Sequence, residues 1–401
     1  MNLTEQHVIK VSDPRFAELD YLCFLSKNLY NAALYQIRQQ YFKDGSYTNF
    51  FALDRLFKET NQPDYRALET KVSQQTLRLL DRNFKSFFKL LKLKATGKID
   101  FIPKIPKYLD KVKGRQVLTF TKLNVSKPNI RKGVLKLSGV NSTFITKHTA
   151  VQSVRFVHKG NHIVVEVIYK CEEKELAEDN GRYCSIDLGV NNLATIGSNI
   201  LKPVIINGKP LKAVNQFYNK RLASLKSHME RTHGKKSSKR IKSLTFKRNN
   251  KVKDYLHKSS RYIINHLVSN QINTLVIGLN KGWKQEINIG KKNNQKFVQI
   301  PHSRFIEMLV YKAKLEGIRV IVTEEAYTSK CSFMDNEDIK RQEVYKGRRV
   351  KRGLFKSPKG VINADLNGAL NILRKVIGEF QYPIEVCSTP KILNLEGFHI
   401  K

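Results

Sequence analysis

Acidic residues are scarce in this sequence: 34 Asp and Glu stand against 73 Lys and Arg, a formal net charge of +39 over 401 residues. A chain so unbalanced needs a polyanionic partner, because neutralising phosphates releases condensed counterions, and its binding should weaken as salt rises. Long hydrophobic runs are also missing. No stretch of about 18 uncharged apolar residues occurs, so no membrane span is expected, and the polar start MNLTEQHVIKVSDPRF has neither the basic nor the apolar region of a secretory signal. A cytoplasmic protein is therefore expected. The five cysteines, Cys23, Cys171, Cys184, Cys331 and Cys387, are odd in number and never spaced as C-x-x-C, which argues against a disulfide framework and a zinc ribbon.

What is present suffices for two or more domains, with 41% hydrophobic residues to bury a core. Alternation across His7, Val8, Ile9, Lys10 and Val11 predicts a strand, and Leu22, Leu25, Leu29, Ala33 and Ile37 then follow helical spacing up to the turn-like KDGSYTN. A second helix is predicted over 68–94. Leu77, Leu80, Phe84, Phe87, Phe88 and Leu91 form its core face, while Arg78, Arg82, Lys85, Lys89 and Lys92 point elsewhere. Residues 101–169 turn to period two, which predicts a small antiparallel β domain completed by the N-terminal strand. The acidic CEEKELAEDNGR marks the main domain boundary. Beyond it, a lysine-rich stretch at 219–258 reads as solvated helix, flexible loop or a helical hairpin gripping nucleic acid. Strand and helix then alternate, as in an α/β domain.

Asp187 stands in Ser185-Ile186-Asp187-Leu188-Gly189-Val190, a strand with apolar flanks. A carboxylate there is costly to desolvate unless it is paired or holds a metal; a capping or turn aspartate is the plainer alternative. Asp365 lies near the start of the closing helix in NADLNGALNIL, where it serves equally well to complement the helix dipole. One acid on the first strand and one on the last helix of an α/β unit suit a ribonuclease-H-like nuclease. In such a site two Mg²⁺ ions about 4 Å apart activate water and stabilise the leaving oxygen. A third carboxylate is then required.

SIDLGVNNLATI, TLVIGLNKGWK, EEAYTSKCSF and NADLNGALNIL stand in the order and spacing of the RuvC-like domain of the TnpB family, which this sequence resembles over nearly its whole length. SKNLYNAALYQIRQQYF and KVSQQTLRLLDRNFKSFF are similar to helices of that family's recognition lobe. The resemblance implies a multidomain α/β architecture. An antiparallel β-barrel, wedge-like domain (1–14 and 99–172) carries an inserted helical recognition domain (15–98). A RuvC-like nuclease domain (173–326 and 361–401) follows, with a basic insertion (327–360) in place of a zinc ribbon. The implied activity is that of a transposon-encoded, RNA-guided DNA endonuclease in the prokaryotic cytoplasm, at the nucleoid, as one protein per guide RNA. Its partners would be a guide RNA from the transposon end and double-stranded DNA; its cofactor would be two Mg²⁺, with Mn²⁺ as a substitute and no zinc. Base pairing would read sequence, and the protein would read duplex shape and a short adjacent motif.

Two departures from the family pattern matter. Where most members end the strand TLVIGL on a catalytic acid, this chain has Gly278-Leu279-Asn280. Either the site is inactive, as in the family's repressor-like relatives, or the acid has moved to Thr323-Glu324-Glu325-Ala326-Tyr327-Thr328-Ser329, an arrangement similar to that of some members. Adjacent strand residues face opposite sides, so one glutamate alone can point inward. Glu325 is assigned with Asp187 and Asp365 as the catalytic, metal-holding set, and Glu324 is its alternative. Second, YTSKCSFMDNEDI keeps Cys331 without the paired cysteines, so the insertion must fold without metal or stay mobile. Its Arg348, Arg349, Lys351 and Arg352 are candidates for gripping the cut strand, or form a plain solvated loop. Lys71 and Gln75, four apart on one helix face, match family positions that approach target-adjacent DNA; glutamine can pair with adenine and lysine can reach phosphate or guanine. No aromatic residue, Trp283 included, is assigned a base-stacking role.

Overall fold

The computed structural model describes all residues except 234–236, 281, 283–289, 291–293, 296–297, 352, 383–389 and 396–401. It divides into two compact units, Met1–Cys171 and Glu172–Lys401.

In the first unit, β1 (Asn2–Lys10) leads into α1 (Phe16–Asp44), α2 (Phe50–Glu59), α3 (Pro63–Arg66) and α4 (Thr70–Ala95). β2 (Leu118–Thr121), α5 (Lys127–Arg131), β3 (Val134–Lys136), β4 (Thr143–Ile145), β5 (Val151–His158) and β6 (His162–Lys170) follow. Leu19, Cys23, Tyr30, Ala33, Leu34 and Ile37 recur at helical spacing and make the buried face of α1. Gly45 ends that helix at φ 75°, a left-handed conformation open to glycine, and donates its N–H to the Tyr41 carbonyl at 2.9 Å. α4 buries Leu77, Leu80, Phe84 and Phe87, with all five predicted basic side chains exposed opposite.

β1 pairs along its whole length with β6, from Asn2 against Lys170 to Lys10 against His162. The sheet has the order β1-β6-β5-β2, beside a separate β3-β4 ribbon. The barrel expected from the sequence is thus an open sheet, since β1 and β2 are its two edges and do not meet. Four strands are too few to close around side chains. Helices do the covering: α1 packs on β2, β5 and β6, α4 on β2, and one apolar core runs through helices and sheet.

The second unit is built on a sheet of order β11-β10-β7-β8-β9-β15. Its strands are β7 (Tyr183–Leu188), β8 (Asn192–Ser198), β9 (Val204–Asn207), β10 (Thr274–Gly278), β11 (Arg319–Thr323) and β15 (Lys391–Leu393). β7, β8 and β9 are antiparallel, whereas β10 runs parallel to both β7 and β11. β10 is buried at every position, which is why TLVIG reads as an unbroken apolar run. The lysine-rich stretch falls in two long helices, α6 (Lys209–His233) and α7 (Lys239–Ser269), packed on each other. α7 and α8 (His302–Leu315) also pack together, and α9 (Ala364–Ile377) lies across β7, β8 and β10.

β12 (Arg348–Lys351) and β13 (Leu354–Ser357), within the predicted insertion, and β14 (Gly360–Asn363), which runs past its predicted end at residue 360, form an antiparallel meander that leads directly into α9. Phe355 and Ile362 pack with Phe333, Met334, Leu366 and Leu370. The turn before the meander is tied to α9 by buried amides. Asn371 Nδ2 donates to the carbonyls of Thr328 (2.9 Å) and Cys331 (2.8 Å), while Asn367 donates to Cys331 O (2.9 Å) and accepts from Phe333 N (2.9 Å).

Candidate active site

Close packing of α9 on the sheet fixes the site. Ser185 on β7 donates its Oγ to the Ala369 carbonyl at 2.6 Å, stitching strand to helix. One residue earlier on α9, Gly368 has no side chain where a Cβ would lie 2.7 Å from Asp187 Oδ2. Any other residue there would collide with the carboxylate. Asn363 caps α9, its Oδ1 accepting from the N–H groups of Asp365 and Leu366, both at 3.1 Å, and thereby sets Asp365 in the first turn. Both oxygens of Asp365 are engaged: Asn192 Nδ2 donates to Oδ2 at 2.6 Å, and Arg349 Nη2 approaches Oδ1 at 3.2 Å.

Glu325 comes in from the end of β11. Asn280, just past β10, donates its Nδ2 to Glu325 Oε1 and accepts from Glu325 N, both at 3.3 Å. The other oxygen, Oε2, is buried with no hydrogen-bond partner, 2.9 Å from the point that a Cβ on Gly278 would occupy. The glycine that replaces the expected acid therefore makes the space into which Glu325 reaches. Glu324 is exposed; its carbonyl and that of Ala326 accept from Lys375 Nζ at 3.0 and 2.8 Å.

Burial pushes the Asp187 carboxyl well above the ordinary carboxylate range, and the nearby negative charges of Glu325 and then Asp365 push it further, with Arg349 opposing them. Glu325 is raised by burial, against the Lys375 ammonium. The three acids thus share one electrostatic environment. They are not a finished cage: among the described residues no group of three or more His, Cys, Asp or Glu is placed to hold a metal ion.

Several participants went unassigned in the sequence: Asn192, Asn280, Gly368 and Lys375. Asn192 and Asn280 stand within a few residues of acid positions, a signal easily read as loop composition. Arg348 and Arg349 are exposed on β12, and Arg352 and Trp283 lie outside the described residues. In the first unit Lys71 is exposed at the start of α4. Gln75 lines a cleft of about 550 Å³ with Asn49, Phe51, Arg78, Arg82 and Lys85. No helix among the described residues is long and apolar enough to cross a membrane.

Known proteins place this arrangement in context. Residues 163–284 match the family model OrfB_IS605, "Probable transposase", and residues 302–372 match the "Cas12f1-like, TNB domain" model. The chain is 25% identical to the TnpB-like protein ORF457 of Acidianus two-tailed virus, over 89% of this chain and 83% of that protein. It is 24% identical to the CRISPR-associated endodeoxyribonuclease Cas12f2 of a Micrarchaeota archaeon, over 51% of this chain and 39% of that one. Among solved structures it is similar to the mini-RNA-guided endonuclease CRISPR-Cas phi3, with 10% identity and a TM-score of 0.48 over 96% of this chain and 94% of that one.

Proposed function

From the premise that this chain belongs to the TnpB family, we propose that it is an RNA-guided DNA endonuclease whose metal-holding acids are Asp187, Glu325 and Asp365. The observation that carries this reading is Glu325 Oε2, a buried carboxylate oxygen without a hydrogen-bond partner, seated against Gly278. An oxygen left so costs the fold about 1–3 kcal/mol or more, and a cation would satisfy it. With an acid brought in from the neighbouring strand to the place vacated by Gly278, relocation rather than decay is the simpler account of the sequence. The nuclease-inactive repressor is the weaker reading for that reason.

The donor set fits a hard cation, Mg²⁺ or Mn²⁺: its ligands are carboxylate oxygens, with no thiolate or imidazole among them. Bound ions would supply an activated water and charge stabilisation of the leaving oxygen. The chain's own part is positional. Gly368 clears the Asp187 carboxylate, Asn363 and Asn192 orient Asp365, and Asn280 orients Glu325. Arg348 and Arg349 are within the same unit to meet the phosphate backbone of the strand being cut. For target-adjacent duplex, the cleft at Gln75 offers an amide beside three cationic side chains.

The test is plasmid cleavage by the protein co-expressed with RNA from its flanking transposon end, beside Asp187→Asn, Glu325→Gln and Glu324→Gln. Cleavage lost in the first two and kept in the third is the expected result. Guide-dependent binding with no cleavage by any form would make the protein a programmable repressor instead.

A further inference from the structure

We propose that Arg349 is an internal counter-cation that holds Asp365 in the unloaded protein and releases it when nucleic acid enters, so that the site is completed by its own substrate. This rests on the reading of Asp187, Glu325 and Asp365 as the metal-holding set.

The geometry begins with Asp365. Its two oxygens face two protein donors, Asn192 Nδ2 and Arg349 Nη2, and among the described residues the three acids are not drawn together into a closed metal-holding group. Asn192 and Asp365 are fixed by β8 and by the cap of α9, so the Asn192 contact belongs to the scaffold. The Arg349 contact does not. Arg349 stands on β12, a four-residue strand exposed at every position that pairs with β13 alone and shifts register between Arg349 and Lys351. A short edge strand whose ladder is interrupted by a bulge is held by few backbone pairs and buries no side chain of its own.

Energetics favour exchange. The Arg349 side chain is 50% exposed and that of Asp365 33%, with a single contact at 3.2 Å instead of a paired fork. Such a pair is weak. A phosphodiester offers the same guanidinium two oxygens in the planar, bidentate geometry that suits it best. When DNA arrives, Arg349 gains by moving to phosphate, and Oδ1 of Asp365, the acid whose charge already acts on Asp187, is left without its arginine partner. The arginine thus balances negative charge before loading and grips the substrate after it. This is the role of a positioning residue with two successive partners.

The two roles separate by sign. Loss of Arg349 removes a competitor for Asp365 and a contact for phosphate, so ion affinity should rise while DNA cleavage falls. The experiment is titration of the full chain, free of nucleic acid, with Mn²⁺ followed by electron paramagnetic resonance, for the native sequence, Arg349→Ala, Arg349→Lys and Asp187→Asn, with thermal melts to confirm folding. The expected result is Mn²⁺ bound roughly fivefold more tightly by Arg349→Ala, about 1 kcal/mol, with Arg349→Lys in between. Single-turnover cleavage should be slower in Arg349→Ala despite that gain. Unchanged or weaker Mn²⁺ binding in a folded Arg349→Ala overturns the proposal while leaving the acid set intact. Equal Mn²⁺ binding by the native chain and Asp187→Asn overturns the acid set itself, and the proposal with it.

Discussion

The acid cluster of the second unit is buried in the opposite way to two buried acids of the first. In the first, Asp81 lies in the core face of α4, and burial alone would push its carboxyl up. Lys85 Nζ at 2.8 Å, Tyr47 Oη at 2.7 Å and Phe50 N at 3.1 Å together hold it below the ordinary range instead. Asp54 is served likewise by Lys58, Tyr65 and Gln74. In the second unit Asp187 and Glu325 are displaced upward, by burial first and, for Asp187, by like charge, and one oxygen of Glu325 has no donor at all. An acid supplied with donors is part of the scaffold. A cluster of acids left short of them is a place where the fold has set stability aside for chemistry.

The largest test of this contrast is Asp187→Asn, expected to lower DNA cleavage by roughly 10³-fold or more while the metal-free protein melts no lower than the native one, since a like charge has been removed. Gly278→Ala comes next. Its Cβ would press on Glu325 Oε2 and on the Ile372 side chain, and overpacking of this kind costs about 1–3 kcal/mol, with cleavage reduced because Glu325 is displaced. Asp81→Asn should do the reverse of Asp187→Asn. Loss of a charged acceptor for three donors is expected to cost about 1–3 kcal/mol in urea unfolding, with cleavage retained wherever the protein stays folded. If Asp187→Asn and Asp81→Asn lost activity and stability in parallel, the distinction between the two kinds of acid would fail.

Much of this was legible in the sequence, for physical reasons that also mark where legibility stops. The faces of α1 and α4 follow from 3.6-residue periodicity, and β10 from its unbroken apolar run, because burial leaves a periodic trace. α6 and the first half of α7 leave little trace: their apolar positions are sparse and lysine fits a solvated helix as well as a loop. β12 is exposed at all four positions, so nothing in RRVK announces a strand; the meander owes its place to Phe355 and Ile362 packing on the start of α9. Asp187 and Asp365 stood out by residue type and setting, whereas the alternation used to choose between the two glutamates does not apply, since Glu324 and Glu325 both lie beyond the end of β11. The clearances at Gly278 and Gly368 and the reach of Arg349 to Asp365 depend on distances across the chain, which no local pattern encodes.

The smallest effect comes from a residue that tests how far the contrast extends. Lys312 on α8 is 3% exposed, and its Nζ donates to two neutral partners, the His257 carbonyl at 2.9 Å and Ser260 Oγ at 2.6 Å. Burial, aided by the charge of Arg261, draws its pKa from 10.5 down to about 8. Below pH 8 the lysine is charged in folded and unfolded chains alike, and the cost of burying that charge is fully present. Between pH 8 and 10.5 the unfolded chain binds more protons, so stability should rise with pH and then level off. Lys312→Met should be more stable at pH 7 by on the order of 1–2 kcal/mol, and its melting temperature should lose the rise across that window. A profile that keeps the rise in Lys312→Met would assign it to another group. With cleavage retained in the variant, a single poorly served charge is no mark of function, and what distinguishes Asp187 and Glu325 is that several such charges face one another.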